Sequence, residues 1–193
     1  ARSMRSVLSY KKPSCWWDGR HMATVALSVS TSRSRDGLDY VKDVISCRKV
    51  DILSSAAHEF ELLWLALRPR LLPRPLTLIL LCIVYCPPWY NCELRHSLCQ
   101  YIVSSIDELN RKFPNAGIIL AGDFNSLETN LFNKYFHFKQ IVTKNTRGTN
   151  ILDKIFTNLD HYYVEPIILP PLGKSDHNCV FLQPNGVHSS APG

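Results

Sequence analysis

Leu78-Ile79-Leu80-Leu81-Cys82-Ile83-Val84-Tyr85 is the longest uninterrupted apolar run in the chain. Eight residues fall far short of the ~20 that a membrane-spanning helix requires, but they suit a strand. Side chains alternate between the two faces of a strand, so one that is apolar throughout must be buried on both faces. A second apolar segment, residues 60–67 with Trp64 at its centre, precedes it across a turn punctuated by Pro69, Pro73 and Pro75. Pro87-Pro88 stops the main run, because proline cannot donate to a sheet ladder. Two neighbouring strands of this kind predict the interior of a layered α/β (α+β) fold, with a sheet covered on both sides.

The periodicity then changes. Leu98, Tyr101, Ile102, Ser105, Ile106, Leu109 and Phe113 recur at steps of three and four, one stripe of an amphipathic helix over residues 92–113. Asn91 is its candidate N-cap, and Pro114-Asn115 with Gly117 ends it. Residues 118–121 predict a short buried strand running into Gly122-Asp123-Phe124-Asn125. Further expectations are a helical turn at 131–135 and strands at 140–143, 151–157 and 178–182. In the first fifty residues only 24–30 alternates like a strand; the segment is otherwise rich in Ser, Arg and Lys and without a sustained period.

Charge follows the same division. The formal net charge is +6, and residues 1–50 carry all of it: ten Lys/Arg against four Asp/Glu, while the remaining twelve of each cancel. The domain reading is therefore a poorly ordered basic segment or degraded domain start at 1–50, one domain at 51–184 and a polar tail at 185–193. The first Met is residue 4, which reads as a fragment. Seven cysteines, an odd number without a Cys-x-x-Cys pair, read as reduced thiols of an intracellular protein. A zinc site drawn from Cys82, Cys86, Cys92, His96 and Cys99 is the weaker alternative, since Cys82 and Cys86 lie in and just after an apolar strand, where free Cys is usually buried.

Three segments set polar groups beside hydrophobic strands: Gly122-Asp123-Phe124-Asn125, Leu152-Asp153-Lys154, and Ser175-Asp176-His177. A carboxylate in such a place is costly unless partnered. The inventory of acids, an amide and an imidazole suits in-line attack of water on a phosphodiester, which needs a group to orient water, a cation to offset phosphoryl charge and a donor on the pentavalent centre. Taken singly, each residue has a plainer reading: a turn at 122–125, a strand-end Tyr85, an Asp153 paired with Lys154, a structural His177.

Taken in order, Val84-Tyr85-x-Pro87-Pro88, Gly122-Asp123-Phe124-Asn125, Thr146-Arg147 leading to Leu152-Asp153, and Ser175-Asp176-His177 resemble the endonuclease/exonuclease/phosphatase superfamily, and within it the endonuclease domain of non-LTR (LINE-type) retrotransposons. The resemblance covers about residues 56–184. It implies an αββα sandwich, here incomplete, and a magnesium-dependent DNA endonuclease. It further implies that Asp123 orients or deprotonates the attacking water beside Asn125, that His177 contacts the scissile phosphate with Asp153 holding its imidazole, and that Tyr85 touches the phosphate. Asp176 falls on the metal side of the site, while Thr146 and Ser175 are positioning groups. A DNA-acting member would be nuclear.

The chain also departs from that pattern. The superfamily's first strand ends in a phosphate-contacting Asn and its second in a Glu that is the main magnesium ligand; here no Asn precedes Asn91, and Glu59 and Glu61 are the only Glu before Glu93. Both sit in a stretch whose register matches a later strand, so neither receives the metal role. The expectation is an impaired or inactive copy, with an exposed sheet edge favouring self-association. Two alternatives remain open: a phosphatase-type or RNA-directed member of the same fold, and a non-catalytic nucleic-acid- or protein-binding remnant that binds through residues 1–50.

Overall fold

A computed structural model describes residues 25–27, 46–52, 60–69 and 72–185. In chain order its elements are β1 (Val25–Leu27), β2 (Ser46–Lys49), β3 (Leu62–Arg68), β4 (Leu78–Tyr85), α1 (Cys92–Lys112), β5 (Ala116–Asp123), α2 (Asn130–Phe136), β6 (Lys139–Gln140), β7 (Asp153–Thr157), a short 3-10 turn (Asp160–Tyr162), β8 (Ile167–Leu169) and β9 (Cys179–Leu182). Two sheets result: six strands in the order β2-β3-β4-β5-β7-β6, and three in the order β1-β9-β8. β4 and β5 run parallel, joined by the α1 crossover, and every other pair is antiparallel.

The doubly apolar strands lie where their composition demands, at the centre of the larger sheet. Alternate residues feed two separate cores. Trp64, Leu80, Cys82, Val84, Ile118, Leu120 and Phe156 pack with Leu98, Ile102 and Ile106 of α1 and Phe132 of α2. Leu65, Leu81, Ile119, Ala121 and Ile155 pack instead with Val180 and Leu182 of β9. The described layers are therefore helices, large sheet and small sheet, an α/β sandwich.

Helix α1 starts where its cap is: the Asn91 side-chain oxygen accepts from the Leu94 N–H at 2.8 Å, satisfying a donor that the first turn leaves unpaired. α2 is a full helix where the sequence predicts a single turn, anchored by Phe132 in an edge-to-face trio with Phe124 and Phe156. β6 is shorter than the strand expected at 140–143. β2 and β8 are unforeseen: β2 is exposed at all four positions and pairs with β3, and β8 pairs with β9. Among the described residues, no helix is long and apolar enough to cross a membrane.

Candidate active site

Register places the chemistry. Tyr85 of β4 pairs with Asp123 of β5, and Asp123 with Asp153 of β7. One step inward the same row reads Ile83, Ala121, Ile155, all on the face that packs against the small sheet. Because side chains two apart share a face, Tyr85, Asp123 and Asp153 line up at one end of that face. Phe124 and Phe156 project the opposite way, into the helix-side core. Lys154 shares that opposite alternation, so it is not the partner of Asp153. His177 enters from the facing layer, two residues before β9.

The imidazole closes the group. His177 Nδ1 lies 2.9 Å from Asp153 Oδ2, and His177, Asp153 and Asp123 are 0%, 2% and 1% exposed. A carboxylate can only accept here, so Nδ1 carries the proton and donates. Nε2 is buried and has no partner, one of two such side-chain atoms among the described residues; the other, Trp64 Nε1, lies in the helix-side core. Orphaning a buried polar atom costs ~1–3 kcal/mol; in the protonated imidazole, which the raised pKa favours, Nε2 also carries a hydrogen, and a phosphoryl oxygen accepting from it would remove that cost. The hydrogen bond that His177 donates to Asp153 is the largest influence on the His177 pKa, which lies above its usual value despite burial, helped by the charges of Asp153 and Asp123.

Asp123 is the counterweight. Burial, reinforced by the charge of Asp153, pushes its carboxyl up to about 6, while hydrogen bonding from Asn125 and the charge of His177 pull it down. The Asn125 N–H donates to Asp123 Oδ1 at 3.0 Å, and its side-chain amide donates to the Cys86 carbonyl at 2.9 Å. Asn125 adopts φ +43°, a left-handed conformation that Asn tolerates better than most residues. Gly122 is required for a different reason: at φ +144° a Cβ there would lie 1.9 Å from the Val84 carbonyl oxygen. The half-buried Tyr85 phenol is pushed up by burial and then by Asp123 and Glu61, which keeps it protonated and able to donate.

Backbone tethers fix the loops. Thr146 Oγ1 accepts from both Leu152 N–H and Asp153 N–H at 3.0 Å, and the Thr146 carbonyl accepts from Asn178 N–H at 2.7 Å. Fully buried, Thr146 thus ties the start of β7 to the loop that carries His177. Ser175 Oγ accepts from the His177 N–H at 3.1 Å. Asp176 is half exposed, and its Oδ2 meets Arg147 Nη2 at 2.5 Å.

Glu61 is exposed; yet its carbonyl accepts from Tyr85 N–H at 2.9 Å, and its charge reaches Tyr85 and Tyr90. It extends the Tyr85–Asp123–Asp153 row by one strand. The alternation of Glu61, Leu63 and Leu65 was the available signal. Glu59 lies outside the described residues. No three His, Cys, Asp or Glu among the described residues are placed to hold a metal ion. Asp153 is committed to His177 and Asp176 to Arg147, which leaves Asp123 as the one carboxylate of the central cluster without a cationic partner in contact. Magnesium keeps several waters and takes only one or two carboxylates from a protein; among the described residues Asp123 is the carboxylate that would contribute one.

The scaffold is an α/β sandwich of two sheets with an acid–imidazole pair at its rim. Among solved structures the chain is similar to the endonuclease domain of TRAS1, a telomere-specific non-LTR retrotransposon, with a TM-score of 0.50 and 15% identity over 85% of this chain and 81% of that one. At that identity the likeness shows a related fold. No protein-family model matches the chain, and no curated protein matches it in sequence.

Proposed function

We propose that the protein is a nuclease-type domain of retrotransposon lineage that binds a DNA phosphodiester at Asp123, Asp153 and His177 and cleaves it poorly. The observation that carries this reading is His177: a buried imidazole, aligned by a carboxylate through one nitrogen and unpartnered at the other. Ionised above pH ~6, Asp123 takes a proton from water as the water oxygen bonds to phosphorus. The bond to the leaving sugar oxygen breaks, and that oxygen takes a proton from solvent. Asn125 steadies the water, while Nε2–H of the protonated His177 and the Tyr85 hydroxyl donate to the phosphoryl oxygens, where charge accumulates.

Cleavage is impaired because that charge is under-compensated. The superfamily's Asn and Glu have no counterparts in the sequence, and the described carboxylates do not assemble a magnesium site. Losing such electrostatic stabilisation costs orders of magnitude in rate. The fold alone does not fix the polymer; DNA is proposed from the retrotransposon likeness, and action on chromosomal DNA would place the protein in the nucleus.

The test is nicking of supercoiled plasmid with magnesium, with D123A as control. The expected result is slow relaxation, only slightly above the D123A background. Rapid nicking abolished by D123A would overturn the impairment, whereas phosphodiester binding indifferent to His177 would overturn the site itself. DNA affinity that survives D123A and is lost with residues 1–50 would favour the non-catalytic remnant.

A further inference from the structure

The site is rich in acid. Asp123, Asp153 and Asp176 surround His177, with Glu61 at the end of the row, and an incoming phosphodiester adds another negative charge. Besides His177, the cation in closest association among the described residues is Arg147. Its guanidinium contacts Asp176 Oδ2 at 2.5 Å, one residue from His177, and its charge is felt by His177. Two other bases are placed differently: Lys154 alternates onto the helix-side face, and Arg95 is held on α1 by the Asn91 carbonyl and the Ser126 hydroxyl.

Arg147 is aimed by backbone. Its N–H donates to the Asn150 carbonyl at 3.1 Å and its carbonyl accepts from Asn150 N–H at 2.9 Å. The tight turn between them passes through Gly148 at φ +54°. Next to it, Thr146 is bonded to both Asp153 and Asn178, so the arginine turn and the histidine loop are fastened together. Arg147 and Asp176 are 44% and 51% exposed, so the pair lies at the mouth of the site, where a ligand can reach it.

A carboxylate and a phosphodiester present the same pair of acceptor oxygens to a guanidinium. Resting on the nuclease-type reading above, we propose that Arg147 is the phosphate-binding residue of this site and that Asp176 occupies its guanidinium until a phosphodiester oxygen replaces the carboxylate. Arg147 then holds one non-bridging oxygen while His177 Nε2 faces another. The arrangement supplies a protein-borne positive charge where the described carboxylates assemble no metal site.

The exchange makes the two halves of the ion pair respond in opposite directions. The probe is the thymidine dinucleotide dTpT, which carries a single phosphodiester, titrated into the full chain and followed by NMR shifts. R147A should weaken binding about tenfold or more, and R147K, which keeps the charge and loses the fork, should fall between R147A and wild type. D176N, which frees the guanidinium, should tighten binding several-fold. Equal weakening by R147A and D176N would mean that the pair merely braces the loops, and unchanged affinity in R147A would remove Arg147 from the site; either result overturns the proposal. H177A separates the two levels. If the wild type binds no better than H177A, the nuclease-type reading fails; if binding depends on His177 but not on Arg147, only this inference fails.

Discussion

Burial at 1% exposure next to Asp153 lifts the Asp123 carboxyl from 3.8 to about 6, and that shift links the chemistry to stability. Between pH ~4 and 6 the folded chain holds a proton at Asp123 that the unfolded chain has released, so stability falls as pH rises through this window and levels above it. His177 acts in the same sense: its raised pKa adds stability below ~6.5, which is lost as pH climbs through the higher folded value. D123N removes the burial penalty while its side-chain oxygen still accepts from Asn125 N–H. It should therefore raise stability at pH 7 by roughly 2–3 kcal/mol at ~1.4 kcal/mol per pKa unit, and flatten the decline between pH 4 and 6. Urea denaturation at several pH values checks both; an equal or lower midpoint for D123N at pH 7 would show that the carboxylate is not strained by its surroundings. Residual cleavage in the wild type should rise across the same window, because only ionised Asp123 accepts a proton from water.

At the scale of elements, the ends of β4 and β5 are the tightest place in the sheet. A side chain at position 122 collides with the Val84 carbonyl and demands a φ that L-residues avoid. G122A should cost at least ~3 kcal/mol, read as a large fall in the thermal midpoint; a fall of a degree or two would mean that the strands can part without loss. Elements whose stability comes from burial were legible in the sequence: β3, β4 and β5 by unbroken apolarity, α1 by its stripe and by Asn91. Those held by pairing were not. All four residues of β2, Ser46-Cys47-Arg48-Lys49, are exposed, so no hydrophobic pattern marks them, and β8 is a short edge strand that follows β9's lead. The site divides in the same way. Asp123, Asp153 and His177 announce themselves because polar residues abutting apolar strands need a reason. Asp153's partner is twenty-four residues away, beyond what local sequence shows, and Lys154 next to it was the misleading neighbour. Arg147 sits in a polar loop with no period at all, and its place at the mouth of the site comes from Thr146 hydrogen-bonding to two other segments.

Across the whole molecule, one geometric claim governs the account: residues from β4, β5 and β7 and from the loop before β9 meet at one end of the space between two sheets. Charge alone does not define the function, since the +6 excess resides in residues 1–50 while the remainder of the chain is neutral. A general electrostatic attraction for polyanions would fade steeply with salt. Binding at the proposed site would instead single out one imidazole among the seven in the chain. The most direct measurement is a titration with dTpT of protein labelled with 15N at histidine, with each ring nitrogen followed by NMR at two salt concentrations. The account predicts that His177 Nε2 shifts progressively and saturates at both salts, with its Nδ1 resonance still reporting the bond to Asp153, while the other six histidines stay in place. A His177 resonance that does not respond while others move would contradict it.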